Sequence, residues 1–160
     1  MQMRKRVLGE EHPDTLSSKA NLASTYQNQG RWKEAEELEV QVMQTTKRVL
    51  GEEHPDTLTS KANLASTYWN QGRWKEAEEL EVQVMQMRKR VLGEEHPSTL
   101  TSINSLAFTL QSQARHEEAL ALMEICFHHR QQVLGEQHPH TQLSLDALKS
   151  WRADHLNNVS

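Results

Sequence analysis

Nine histidines and one cysteine are the residues of this chain best suited to metal or nucleophilic chemistry, and their spacing argues against both. Four of them, His12, His54, His96 and His138, each precede a proline and recur every 42 residues, so they read as turn residues at helix starts that need no ligand. His138 and His140 lie close together, but no third and fourth ligand at metal spacing accompanies them. His128 and His129 are adjacent, and on a helix they point about 100° apart and cannot chelate one ion together. His116-Glu117-Glu118 opens like a zinc-peptidase motif, yet the position that must hold the second histidine is Leu120. Cys126 falls on an apolar helical stripe and is expected to be a packed thiol. No glycine-rich phosphate loop is present. The expectation is no catalytic residue, no metal site and no cofactor.

The remaining chemistry is recognition by hydrogen bonds. Asn21, Ser24 and Asn28 stand at i, i+3 and i+7, on one helical face, with copies at Asn63, Ser66 and Asn70. From Leu16 to Gln29 the only charge is Lys19, and from Leu58 to Gln71 only Lys61. A surface of Asn, Ser, Thr and Gln suits an extended peptide backbone; the plainer alternative is that it is merely solvated. Gln27 is replaced one period later by Trp69, which follows Tyr68 and points about 100° round from it, toward the same surface. An exposed Trp is a common anchor for a partner. Phe108, aligned with Ser66, adds a second aromatic flanked by Asn104 and Gln111. Trp32 and Trp74 recur at the start of the other helix of the unit and are expected to pack. The run Arg4-Lys5-Arg6, repeated as Arg88-Lys89-Arg90, reads as cations compensating a helix C-terminus.

The elements that must position these residues follow from one period. All four prolines, in His-Pro pairs at Pro13, Pro55, Pro97 and Pro139, are 42 residues apart, and Gly9, Gly51, Gly93 and Gly135 keep the same interval, as do Gly30 and Gly72. Residues 9–50 and 51–92 share 38 of 42 positions, differing at Ser17/Thr59, Gln27/Trp69, Thr45/Met87 and Thr46/Arg88. Residues 93–134 match the second unit at 20 of 42, and residues 135–160 hold about one further helix and a tail. Residues 1–8 repeat residues 85–92, so the chain reads as a cut from a longer array, starting inside the second helix of an upstream unit.

Each unit predicts two helices. Helix A starts at His-Pro-Asp-Thr, with proline at the first helical position and an acid at the positive end of the dipole, and ends before Gly30. Helix B runs from about Trp32 to Leu50, and its apolar positions Ala35, Leu38, Val42, Thr45 and Val49 draw a single stripe. Nothing alternates like a strand. Fixed self-similarity of this kind signals a solenoid. Residues 152–160 are polar and are expected to fray.

With 18 Lys+Arg against 22 Asp+Glu, the chain lacks the basic excess of a general nucleic-acid binder, and no apolar run is long enough to span a bilayer. A single cysteine and the lack of an apolar leader after the first basic residues favour a reducing, cytoplasmic setting.

The string Asn21-Leu22-Ala23-x-x-Tyr26-x-x-x-Gly30-x-x-x-x-Ala35, with its copy from Asn63 to Ala77, resembles the tetratricopeptide core. The 42-residue period, GEEHPDTL and NQGRWKEAEEL resemble the kinesin-light-chain-like class of that family. Near-identical tandem copies with a decayed last one are most similar to the C-terminal arrays of fungal NOD-like receptors. Three residues of the third unit depart from the pattern: Leu110 stands for the tyrosine, Ala114 for the turn glycine and His116 for the tryptophan. The resemblance implies an all-α, right-handed superhelix of about three and a half repeats. Its concave side, lined by the A helices, would bind a protein or peptide as the sensing end of an NB-ARC or NACHT receptor. The alternative is a scaffold or cargo adaptor without a nucleotide switch. An uncovered stacking face at the N-terminal end implies self-association there.

Overall fold

The fold is described from a computed structural model, over residues 12–159. The expected severed helix at residues 1–8 lies outside the described residues. Among the described residues seven helices follow one another: α1 (Pro13–Asn28), α2 (Trp32–Leu50), α3 (Pro55–Asn70), α4 (Trp74–Leu92), α5 (Pro97–Ser112), α6 (His116–Leu134) and α7 (Pro139–Val159). No strand occurs among the described residues. The chain forms two compact units, Met1–Leu80 and Glu81–Ser160, with the division inside α4. Within the first, α2 packs on α1 and α3; within the second, α6 packs on α5 and α7.

The helix starts carry more chemistry than a turn. His12, His54, His96 and His138 each sit just before a helix and turn Nδ1 onto a backbone N–H two residues on: Asp14 at 3.1 Å, Asp56 at 3.0 Å, Ser98 at 3.0 Å and His140 at 3.1 Å. They cap the first turn, where four donors lack helical partners, while the following proline has no N–H to satisfy.

The A helices end in a Schellman turn. At α1 the N–H of Gly30 reaches Gln27 O at 3.0 Å and that of Arg31 reaches Tyr26 O at 2.8 Å. Gly30 (φ 75°) and Gly72 (φ 76°) supply the left-handed residue that this turn requires. The third repeat makes the same two bonds, from Ala114 to Gln111 O and from Arg115 to Leu110 O, but with Ala114 held at φ 62°.

The expected stripe on helix B is corrected. On α2 the buried residues are Ala35, Glu39, Val42 and Thr46, whereas Leu38 and Thr45 are half-buried and Val49 is 47% exposed. The helix packs between two A helices, so its buried face is centred one position further round than the apolar spacing suggests. Glu39 tolerates that place because it is hydrogen-bonded there: Thr67 Oγ1 donates to Oε1, and Gln27 Nε2 donates to Oε2 at 2.6 Å. Lys19, read as the one charge on its A-helix surface, is also buried, its Nζ donating to Gln41 Oε1 at 3.1 Å. The equivalent Lys61 is buried too.

The second unit has a more apolar interior. Leu100, Ile103, Leu106 and Leu110 from α5 meet Met123 and Cys126 from α6 and Leu148 and Trp151 from α7. Cys126 is the packed thiol expected; burial raises its pKa, and its Sγ lies 3.4 Å from Leu100 O. Helix α7 continues to Val159, with no glycine or proline to interrupt it after Pro139.

Candidate peptide-binding surface

The polar residues of the A helices divide into exposed ones and ones already engaged. On α1, Asn21, Ser24 and Asn28 are exposed, and on α3 so are Asn63, Ser66 and Asn70. Their one-face spacing holds in both helices. Asn70 Nδ2 donates back to Ser66 O at 2.9 Å, which orients its amide along the helix surface. Gln27 is different. It is half-buried, and its Nε2 lies 2.6 Å from Glu39 Oε2 and 2.7 Å from Thr67 Oγ1, so it ties α1 to α2 and α3.

The two aromatic residues stand in different units. Trp69, on α3 of the first, is 38% exposed. Phe108, on α5 of the second, is 40% exposed, but its ring meets Trp151 of α7 edge to face at 5.1 Å. The flanking pair is half-buried and engaged. Asn104 Oδ1 accepts from Arg130 Nη1 at 3.4 Å, and Gln111 Oε1 lies 2.9 Å from His116 Nδ1. Trp32 is half-buried and Trp74 is 37% exposed.

Beside the A-helix ends, Arg31 lies over the Tyr26 ring and Arg73 over the Tyr68 ring, each 4.3 Å from the centroid. Arg73 also pairs with Glu36 at 2.7 Å and with Glu76. Desolvation raises the Tyr68 pKa, assisted by nearby Glu36 and opposed by Arg73. This cluster ties the A–B turn of the second repeat to α2, and its contacts are structural.

A cleft of about 380 Å³ opens in the first unit between α1, α2 and α3, with Leu16, Val42, Val49, Asp56 and Ser60 among its walls. Sequence reasoning missed it. The available signal was position 46, a threonine where the second and third repeats both carry arginine (Arg88, Arg130) despite the decay of the third. Arg88, read as a cation compensating a helix C-terminus, is half-buried and bonded to the following helix, and Arg130 is only 4% exposed. No group of three or more metal-ligating side chains occurs among the described residues, and none of their helices is long and apolar enough to cross a membrane.

These helix pairs, their caps and their 42-residue period define a repeat protein of the tetratricopeptide type. A family profile described as tetratricopeptide repeat matches residues 20–90 and 61–127, and the chain belongs to that family. Among solved structures, a Podosopora anserina protein described as a kinesin light chain with nearly identical TPR-like repeats is 34% identical. It superposes with a TM-score of 0.83 over 98% of this chain and 75% of that one. A single-residue variant of it gives 32% identity and a TM-score of 0.85 over 98% and 74%. BtubC (BKLC) from P. vanneervenii, at 20% identity and a TM-score of 0.76 over 96% and 69%, shares the fold. No curated protein sequence matches the chain significantly.

Proposed function

We propose that the chain recognises a protein or peptide along the exposed face of its A helices, through Asn21, Ser24 and Asn28 and through Asn63, Ser66, Asn70 and Trp69. The observation that carries this reading is the row of exposed amides and hydroxyls repeated on α1 and α3, with Trp69 exposed at its edge. Amide side chains both donate and accept, which suits an extended backbone. Gln27, Asn104, Phe108 and Gln111 serve this reading at its margin, each already holding an internal partner.

The test is selection of a random peptide library on the chain, with counter-selection on a variant carrying Asn63→Ala, Trp69→Ala and Asn70→Ala. Enriched peptides are expected to bind the triple variant at least about tenfold more weakly, the effect of losing one anchor of about 1.4 kcal/mol. No enrichment, or equal binding to both proteins, sinks the reading.

Two cellular settings follow, both cytoplasmic. In one, the array is the sensing part of an NB-ARC or NACHT signalling receptor, as the tandem near-identity of residues 9–50 and 51–92 suggests. In the other it is a scaffold or cargo adaptor, favoured by likeness to a protein described as a kinesin light chain. Translating the gene upstream separates them: a P-loop domain supports the receptor, coiled-coil heptads the adaptor. Self-association through the N-terminal end belongs to the same reading, and light scattering at high micromolar concentration tests it.

A further inference from the structure

Two repeats seat an arginine where the first does not. Arg88 on α4 reaches the start of α5, its Nη1 donating to Ser98 O at 3.2 Å and to Ser102 Oγ at 2.9 Å. One period on, Arg130 repeats the contact on α7, with Nη1 donating to His140 O at 3.2 Å and Ser144 Oγ at 2.9 Å. The matching acceptors on α3 are Asp56 O and Ser60 Oγ, but the residue facing them on α2 is Thr46. Its hydroxyl turns back on its own helix, donating to Val42 O at 2.8 Å and Met43 O at 3.1 Å. The cleft of about 380 Å³ lies where the arginine would.

We propose that this cleft receives an arginine side chain from a bound partner protein, which takes the seat that Arg88 and Arg130 fill in the later repeats. The inference rests on the peptide-recognition reading above and names one contact within it. Leu16, Val42 and Val49 offer apolar wall to the methylene stem, and the polar end is already arranged for the head group. Ser60 Oγ donates to Asp56 O at 2.9 Å, as Ser102 Oγ does to Ser98 O at 3.1 Å in the filled seat, so its lone pairs face the incoming donor. Charge favours a cation. Asp56 stands where the filled seats carry Ser98 and His140, Glu39 also lines the cleft, and among the described residues no lysine or arginine lines it. A guanidinium suits a carbonyl and a hydroxyl side by side better than an ammonium does, because its donors are fixed in one plane.

The test is an amide-resolved NMR titration of the full chain with the capped pentapeptide acetyl-Gly-Gly-Arg-Gly-Gly-amide and its citrulline counterpart, which keeps the shape and loses the charge. The expected result is saturable shifts around Val42 and Ser60, with citrulline about tenfold weaker, as for loss of a charge-assisted hydrogen bond. Thr46→Arg should fill the seat from within, abolish those shifts and raise thermal stability; Thr46→Met tests occlusion by an apolar chain. Arg88→Thr should open a second site, reported by shifts around Ser102. Equal response to citrulline, or undiminished binding by both position-46 variants, overturns the proposal. Library peptides that lose affinity on the Asn63/Trp69/Asn70 variant yet bind Thr46→Arg unchanged would leave the recognition reading standing and remove this one.

Discussion

The hydroxyl of Thr67 on α3 is hydrogen-bonded to the buried carboxylate of Glu39 on α2, joining the second helix of one repeat to the first helix of the next. Burial raises the Glu39 pKa above the ordinary glutamate value, and the hydrogen bonds from Thr67 and Gln27 oppose that rise in part. The folded chain therefore holds this proton more tightly than the unfolded one. The stabilisation linked to it is fully present below the unfolded pKa and is lost as pH rises through the folded value. Urea midpoints from about pH 4 to 7 should fall more steeply with pH for the native chain than for Glu39→Gln. A native chain that gained stability relative to the variant over that range would contradict the assignment.

Ala114 offers a stabilising substitution. It holds the left-handed position of a Schellman turn at φ 62°, a conformation costing a residue with a β-carbon about 1 kcal/mol. Ala114→Gly should gain up to about 1 kcal/mol, less what the freer unfolded chain takes back, and Gly72→Ala should lose a similar amount. Chemical denaturation of the two variants checks the opposite signs.

The histidine caps predict a selective rescue. His54→Ala removes the acceptor for Asp56 N–H and should cost about 1 kcal/mol, while His54→Asn or His54→Asp should restore most of it. Equal loss in all three would assign the histidine to packing instead.

Trp69 and Phe108 should separate in their effects. Phe108→Ala breaks an edge-to-face contact with Trp151 and should cost stability by about 1 kcal/mol beyond its lost area. Trp69→Ala should instead weaken binding of a selected peptide by about 2 kcal/mol. Calorimetric unfolding alongside peptide titration measures both quantities on each variant.

The helices were legible because their signals are local. His54-Pro55 caps and starts α3, and Gly72 lets the chain leave it, with no help from distant residues. What pattern reading missed depends on neighbours distant in sequence. Glu39 looks like a surface acid until Thr67, 28 residues away, bonds to it. Arg88 looks like a helix-end cation until Ser102 accepts from it. In the candidate site, the Asn21 and Asn63 rows were visible from helical spacing alone. The engagement of Gln27 and the cleft beside Thr46 were not, since both arise where three helices meet.

The difference between the two interiors predicts an order of events in folding. In the second unit Leu100, Leu106, Met123, Leu148 and Trp151 form a continuous apolar cluster, whereas the first buries fewer large apolar side chains, Leu16, Val42, Leu58 and Leu64, beside Thr15, Lys19, Glu39, Thr46, Ser60 and Thr67. Apolar burial rewards collapse as soon as chains meet, while buried polar groups gain only once their partners are correctly placed. In a repeat array, folding can nucleate anywhere and spreads between neighbours. The expectation is that the nucleus forms in α5–α7 and that the near-identical repeats order after it. Amide exchange should accordingly be slowest in α5 and α6 and quickest in α1, and a molecule pulled from both ends should surrender its first repeat before its last.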